Sequence, residues 1–198
     1  SGFTVVSTAN NHAADRGPLG IDRTIENLDA AGLAYTGTRH RDRPDMAWST
    51  TTSAKGITVA WLACSYSTNG MPDPQAQVLN CYRQKAEIAA EVARLAAADG
   101  IDAVIVTPHW GQENSAIPLA SDRQWAKDMV AAGATAIIGT HPHVLQPWER
   151  LTAADGREAL VVYSTGNFIS NQPRPEQRSG VVVLLELVKG ATGRAMLS

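Results

Sequence analysis

Three of the five histidines in this 198-residue chain fall in two short stretches, Thr107-Pro108-His109-Trp110-Gly111-Gln112-Glu113 and Gly139-Thr140-His141-Pro142-His143. Each stretch follows an apolar run, residues 101–106 and 134–138, that reads as a buried strand. An earlier stretch, Ser7-Thr8-Ala9-Asn10-Asn11-His12, follows apolar residues 3–6 in the same way. In open α/β sheets, ligands gather in the crevice beyond the carboxyl ends of the strands. Strands that each end in ligand-type side chains point at one place. The pattern predicts a metal site assembled from three strand ends.

In extended backbone, residues i and i+2 project to the same side. Pro142 fixes its own φ and disfavours the helical region for His141. The two imidazoles of His141 and His143 are therefore expected on one side of a stiff, open segment. Neutral imidazole suits Zn, Fe, Mn, Ni or Cu rather than Ca. His109 is the third nitrogen, and Asn11 can add an amide oxygen. A lone histidine would be read as a local hydrogen-bonding group; three at neighbouring strand ends favour ligands.

The residues around this set have two readings each. His12 is either a proton donor to a leaving oxygen on the rim of the pocket or a loop histidine in a local hydrogen bond. Asp15 either orients His12 or caps the helix that begins near Pro18, and capping is the better fit to sequence alone. Glu113 is either a carboxylate that holds a ligand histidine or a solvated loop charge. In Tyr163-Ser164-Thr165-Gly166-Asn167-Phe168, Gly166 permits a close backbone approach. Ser164 and Asn167 there either donate to an anionic group or simply form a turn. His40, in a charged loop at 39–45, reads as surface.

Strands are expected at 3–7, 33–36, 46–51 and 57–64, the last two joined through Ala54-Lys55-Gly56. Residues 65–77 form a long loop of the kind that is often functional. Helices are expected from Pro18 to Gly32, with Ile21, Ile25 and Leu28 on one face, over 85–98, with Ile88, Val92 and Leu95, and over 121–132, with Trp125 and Met129. Further strands fall at 101–107, 134–139, 144–151, 157–165 and 180–188, with Asp155-Gly156 as a hairpin signal. A turn at 190–193 leads to a final strand. Strand and helix alternate first and hairpins follow, which predicts α/β with helices over a sheet and a second sheet from the late hairpins.

The length suits a single domain, 1–198. The net charge of -2 and the scattered Lys and Arg exclude a nucleic-acid partner. The longest apolar run, broken by Glu186, is too short to cross a bilayer, and no signal peptide is recognisable. Cys64 and Cys81 are either two reduced core thiols or one disulfide, with equal weight.

Four motifs occur in order: Asn10-Asn11-His12-x-x-Asp15-x-Gly17, His109-Trp110-Gly111-x-Glu113, Gly139-Thr140-His141-Pro142-His143, and Tyr163-Ser164-x-Gly166-Asn167-Phe168. Together they resemble the CapA (PgsA-like) proteins of bacterial poly-γ-glutamate capsule synthesis, a branch of the calcineurin-like metallophosphoesterases. The resemblance runs over about residues 2–188. It implies a four-layer α/β/β/α sandwich with a two-metal centre between the sheets, with Mn, Zn or Fe as the cation. Asn11, His109, His141 and His143 fall on metal-ligand positions, and His12 on that of the leaving-group acid. Asp15, Glu113, Ser164 and Asn167 match family positions as further catalytic or substrate-binding residues.

Such proteins normally begin with a strand carrying a Gly-Asp motif, and the chain starts after that point. The expectation is a domain truncated at both ends and lacking its first strand. It should have an unpaired sheet edge and a single occupied metal position, weaker binding or an empty site. The function implied is a metal-dependent hydrolase acting on a phosphoester or related anionic bond. A variant keeps the enzyme and moves the bond to a γ-glutamyl amide. The alternative is a non-catalytic component that binds or exports an anionic polymer such as poly-γ-glutamate, through Arg39, Arg41 and Arg174. Membrane-associated capsule synthesis proteins, a homo-oligomer and an extracytoplasmic, membrane-associated location are implied with it.

Overall fold

A computed structural model of the chain describes residues 2–190 and 195–197. Its elements are β1 (Val5–Ser7), α1 (Gly17–Ala30), β2 (Ala34–Thr36), β3 (Ser49–Ala54), β4 (Ile57–Ser65), α2 (Lys85–Ala97), β5 (Ala103–His109), α3 (Ala120–Ala132), β6 (Ala136–Ile138), β7 (Trp148–Thr152), β8 (Glu158–Val162), β9 (Leu187–Lys189) and β10 (Ala195–Leu197). A 3-10 turn lies at Pro175–Arg178.

Six strands form the central sheet in the order β3-β4-β5-β6-β8-β7. The inner strands β4, β5, β6 and β8 run parallel, so their carboxyl ends share one edge; β3 and β7 are antiparallel edges. Lys55 and Gly56 both take left-handed φ, 51° and 78°, and make the two-residue turn that suits the twist of a hairpin. That turn pins Ala54 opposite Ile57.

Period-two alternation sorts the two faces of the sheet. Ala60, Leu62 and Cys64 of β4 join the main core under α2 and α3, while Ala63 faces Ile21 and Ile25 of α1. The expected stripe of α2, Ile88, Val92 and Leu95, is buried against the sheet, as are Trp125 and Met129 of α3. Each such side chain stabilises the fold by about 1.5–3 kcal/mol. The β1–β2 pair and α1 lie on the opposite face, so the layers follow the α/β/β/α order implied by the resemblance.

Several expectations are corrected. The late hairpin β7–β8 builds no second sheet, since β8 pairs parallel with β6 and extends the first, whereas the last two strands, β9 and β10, do form a separate antiparallel pair. Residues 144–147 lie outside β7, which starts at Trp148. Within 180–188, only Leu187 and Val188 belong to a strand, β9. Residues 181–186 alternate half-buried and exposed, as strand residues do, and the Val181 N–H donates to the Thr165 carbonyl beside a Gly166–Gly180 bridge, but among the described residues that pairing does not continue as a ladder. An extended run becomes a strand only with a hydrogen-bonding neighbour. Val182 and Leu184 remain exposed there, and among the described residues β1 is paired on one side only, with β2. The turn expected at 190–193 lies largely outside the described residues.

The open question about the cysteines is resolved. Cys64 and Cys81 form a disulfide, with Cα atoms 5.1 Å apart. It ties the end of β4 to the segment before α2 and closes the loop between them.

Candidate metal centre

His109 is the last residue of β5, and Thr140 bridges it one residue beyond the end of the β6 segment and Gly139. Trp110 anchors this end of the sheet. It is fully buried, its Nε1–H donates to the Tyr163 carbonyl at 3.0 Å, and its ring lies edge-on to Trp125 and stacked on Tyr163. The crossing is tight. A Cβ on Gly139 would stand 2.1 Å from the Tyr163 carbonyl oxygen and 2.5 Å from Trp110 Nε1. Glycine is therefore required between β6 and the histidine segment.

The histidine segment differs from the expected extended form. His141 has φ 101° and His143 φ 62°, both in the left-handed region. Such residues cost of order 1–3 kcal/mol each and persist where the surroundings fix them, commonly at functional sites. The imidazoles still converge, with centroids 6.0 Å apart, through turned backbone rather than strand alternation.

Two half-sites face each other. In the first, His109 Nε2 lies 2.9 Å from Asn11 Oδ1 and Nδ1 lies 2.9 Å from Thr140 Oγ1. Burial, followed by the neighbouring histidines, pushes the His109 pKa down to about 3, so the ring is neutral. In the second, Glu113, His141 and His143 each offer a ligand atom, all within 4.8 Å of one another. His141 is buried and its pKa is lowered, chiefly by burial. Its Nδ1 is buried with no hydrogen-bond partner. His143 Nδ1 faces Asn167 Oδ1 at 2.9 Å. An amide oxygen only accepts, so Nδ1 carries the proton and Nε2 is left bare, the form that binds metal. The His109 and His141 rings, 4.8 Å apart, join the two halves.

This donor set fits a divalent cation. The cluster offers two imidazoles and one carboxylate, with His109 and the Asn11 amide oxygen, bonded to each other, beside it, and a buried polar nitrogen is rarely left without a partner. Glu113 is exposed but sits within the cluster rather than behind a ligand.

The remaining expected residues fall in defined places. His12 is exposed on the rim, and its Nδ1 pairs with Asp15 Oδ2 at 2.9 Å. Asp15 is therefore the orienting group; α1 starts at Gly17 without a side-chain cap, against the capping expectation. Ser164 is fully buried and accepts from the Gly166 N–H, which holds the turn. Asn167 stands behind His143. His40 is not a surface group: its side chain is 12% exposed and sits between Asp22 and Glu26.

Residues 1–172 match the family described as "Bacterial capsule synthesis protein PGA_cap". The chain belongs to this family. It is 30% identical over 207 residues to the PGA biosynthesis protein CapA of Bacillus subtilis (strain 168), covering 97% of this chain and 49% of that protein. It is 29% identical over 198 residues to the capsule biosynthesis protein CapA of Bacillus anthracis, covering 97% and 46%. The PGA_cap chain thus spans about half the length of these relatives. Among solved structures it resembles the NAD nucleotidase (NadN) of Haemophilus influenzae, with TM-score 0.56 and 15% identity over 100% of this chain and 43% of that one. A hypothetical protein from Thermus thermophilus gives TM-score 0.52 and 17% identity over 98% and 74%. At these identities the structures share the fold.

Sequence reading left several residues of this PGA_cap site unassigned. Tyr66 packs its ring 4.3 Å from that of His141. Asn69 accepts from Asn11 Nδ2 at 3.2 Å, Thr140 faces His109, and Asn114 and Gln177 bond behind the cluster. Polar residues in Ser- and Asn-rich loops look alike in sequence, and only the fold shows which of them turn inward. The Cys64–Cys81 pair brackets this loop, and its disulfide holds the 65–81 segment in place.

Proposed function

We propose that this PGA_cap domain is a metal-dependent hydrolase that acts on a phosphoester or related anionic bond in an acidic polymer or its precursor. The observation that carries the reading is the convergence of His141, with a buried unpartnered Nδ1, on Glu113 and His143. Asn11, His109, Glu113, His141 and His143 would hold the cation. When bound, it supplies Lewis acidity to the scissile group. His12, its Nδ1–H held by Asp15, would deliver to the leaving oxygen the Nε2 proton that it carries when doubly protonated. Asn167 holds His143 in the tautomer that leaves Nε2 bare.

A groove of about 750 Å3 starts at Tyr66 and runs between Ser67–Val78 and Asn80–Gln84. Its acid, Asp73, already accepts from the Gln77 and Val78 N–H groups. Its cation is the exposed guanidinium of Arg83. This charge supports an anionic chain lying along the groove toward the metal, such as the poly-γ-glutamate type implied by the relatives. It also favours a second reading, a polymer-binding component. Arg39 and Arg41 are poor candidates for that contact. Arg41 pairs with buried Asp22, and Arg39 lies over Trp48.

An extracytoplasmic location is part of the proposal, since disulfides persist in oxidising compartments. No helix among the described residues is long and apolar enough to cross a membrane.

Metal content of protein purified without chelator, beside a His141→Ala, His143→Ala variant, tests the reading. About one cation per chain, absent from the variant, with hydrolysis of bis(p-nitrophenyl) phosphate, is expected. Metal content no higher than the variant's would refute it. Metal without hydrolysis, joined by Arg83-dependent binding of poly-γ-glutamate, would favour the binding component.

A further inference from the structure

Behind the cluster, the 3-10 turn Pro175–Arg178 places Gln177 between Asn114, which follows Glu113, and Asn167, which faces His143. Gln177 is 7% exposed. Its backbone carbonyl accepts from Asn167 Nδ2 at 2.8 Å, and Asn167 Oδ1 in turn faces His143 Nδ1 at 2.9 Å. Its side-chain Nε2 donates to Asn114 Oδ1. Asn114 follows Glu113, and its N–H donates to the Pro142 carbonyl at 2.8 Å, between the two ligand histidines. One residue thus connects the support of His143 to the loop that carries Glu113.

The loop needs such a support. Asn114 takes a left-handed φ of 62°, and Glu113 is exposed, so no packing fixes where its carboxylate stands. A metal site demands its donors within a few tenths of an ångström of the required positions. The Asn114 N–H bond to the Pro142 carbonyl ties the Glu113 loop to the histidine segment, and the Gln177–Asn114 bond adds a second tie through the Asn114 side chain.

We propose that Gln177 is a positioning residue for the cation, acting through Asn114 on Glu113 and through Asn167 on His143. The proposal rests on the metal-binding reading above. It names a residue outside the four motifs and beyond residue 172, where the family match ends.

Gln177→Met keeps length and burial but removes the amide, leaving the backbone bond to Asn167 in place. Zn or Mn affinity by calorimetry is expected to fall 10–100-fold. The visible spectrum of the Co(II)-loaded protein should change with it, because the carboxylate no longer stands where it did. The melting temperature of the metal-free protein should fall by about 4–8 °C, as two hydrogen bonds, to Asn114 Oδ1 and from the Arg174 N–H, are lost. Gln177→Glu should restore most of the affinity, since the Asn114 amide can flip to donate to the new carboxylate. Asn114→Ala should weaken binding as Gln177→Met does, and the double variant should be no worse than either.

Wild-type affinity in Gln177→Met, or additive losses in the double variant, would overturn the proposal while the metal site stands. Absence of metal from the wild-type protein would remove both. If Gln177→Met fails to fold, Asn114→Ala and Gln177→Glu still decide the matter, because a loss in the first with retention in the second is expected only of a hydrogen-bonded relay.

Discussion

Lowering the pH from 7 to 5 should destabilise the metal-free protein through His109. Unfolded, this imidazole titrates near 6.5; folded, burial holds it down to about 3. Above pH 6.5 it is neutral in both states and contributes nothing to the pH dependence. Below 6.5 the unfolded chain takes up a proton that the folded protein refuses, so stability falls as pH falls and continues to fall toward pH 3. At 1.36 kcal/mol per pH unit, the loss between pH 7 and pH 5 is about 2 kcal/mol. His141, also lowered by burial, acts in the same direction. The assay is urea denaturation in EDTA at the two pH values, for the wild type and for His109→Gln. Glutamine keeps an amide for the Asn11 and Thr140 partners but cannot titrate. The wild type should lose about 2 kcal/mol more than the variant over this range. Equal losses would refute the assignment of His109 as a buried neutral base.

Two further outcomes follow from the fold. Replacing both Cys64 and Cys81 by serine should cost about 3 kcal/mol, the entropy of closing a loop with a sequence separation of 17; limited proteolysis should then cut first within residues 66–80. Gly139→Ala should lower stability by about 1–3 kcal/mol or more, because its Cβ would meet backbone at 2.1 Å; thermal denaturation with tryptophan fluorescence reads this directly, through Trp110.

The parts of this molecule legible in sequence are those set by local periodicity. The Ile88, Val92 and Leu95 stripe of α2, the Lys55-Gly56 hairpin and the histidine at the end of β5 are each fixed by nearest neighbours in the chain. The convergence of His109, His141 and His143 was legible for the same reason, since parallel strands share the edge at which their loops meet. What depended on partners was not. Residues 180–188 carry a strand pattern, yet a strand needs a neighbour that the pattern does not name. The late hairpin has alternation fit for either sheet, and its pairing with β6 decides which. Asp15 offers the same oxygens to a helix or to His12, and the turn at 12–15 brings the imidazole nearer. The left-handed φ of His141 and His143 reflects the crossing of Gly139 with Tyr163, which no local rule anticipates. Gln177 sits in a Pro- and Arg-rich loop whose inward turn is visible only once Asn114 and Asn167 are in place.

The donors of the site come from far apart along the chain. Asn11 and His109 are 98 residues apart, and Gln177 reaches Asn114 across 63. No local segment contains enough of the site to bind a cation before the sheet has closed. Such long-range contacts form late in folding, after the cost of ordering the intervening chain has been met. A cation is therefore expected to leave the folding rate almost unchanged and to slow unfolding instead, since its interactions are absent from the transition state. The site would then act as a kinetic lock on a chain that has already found its topology.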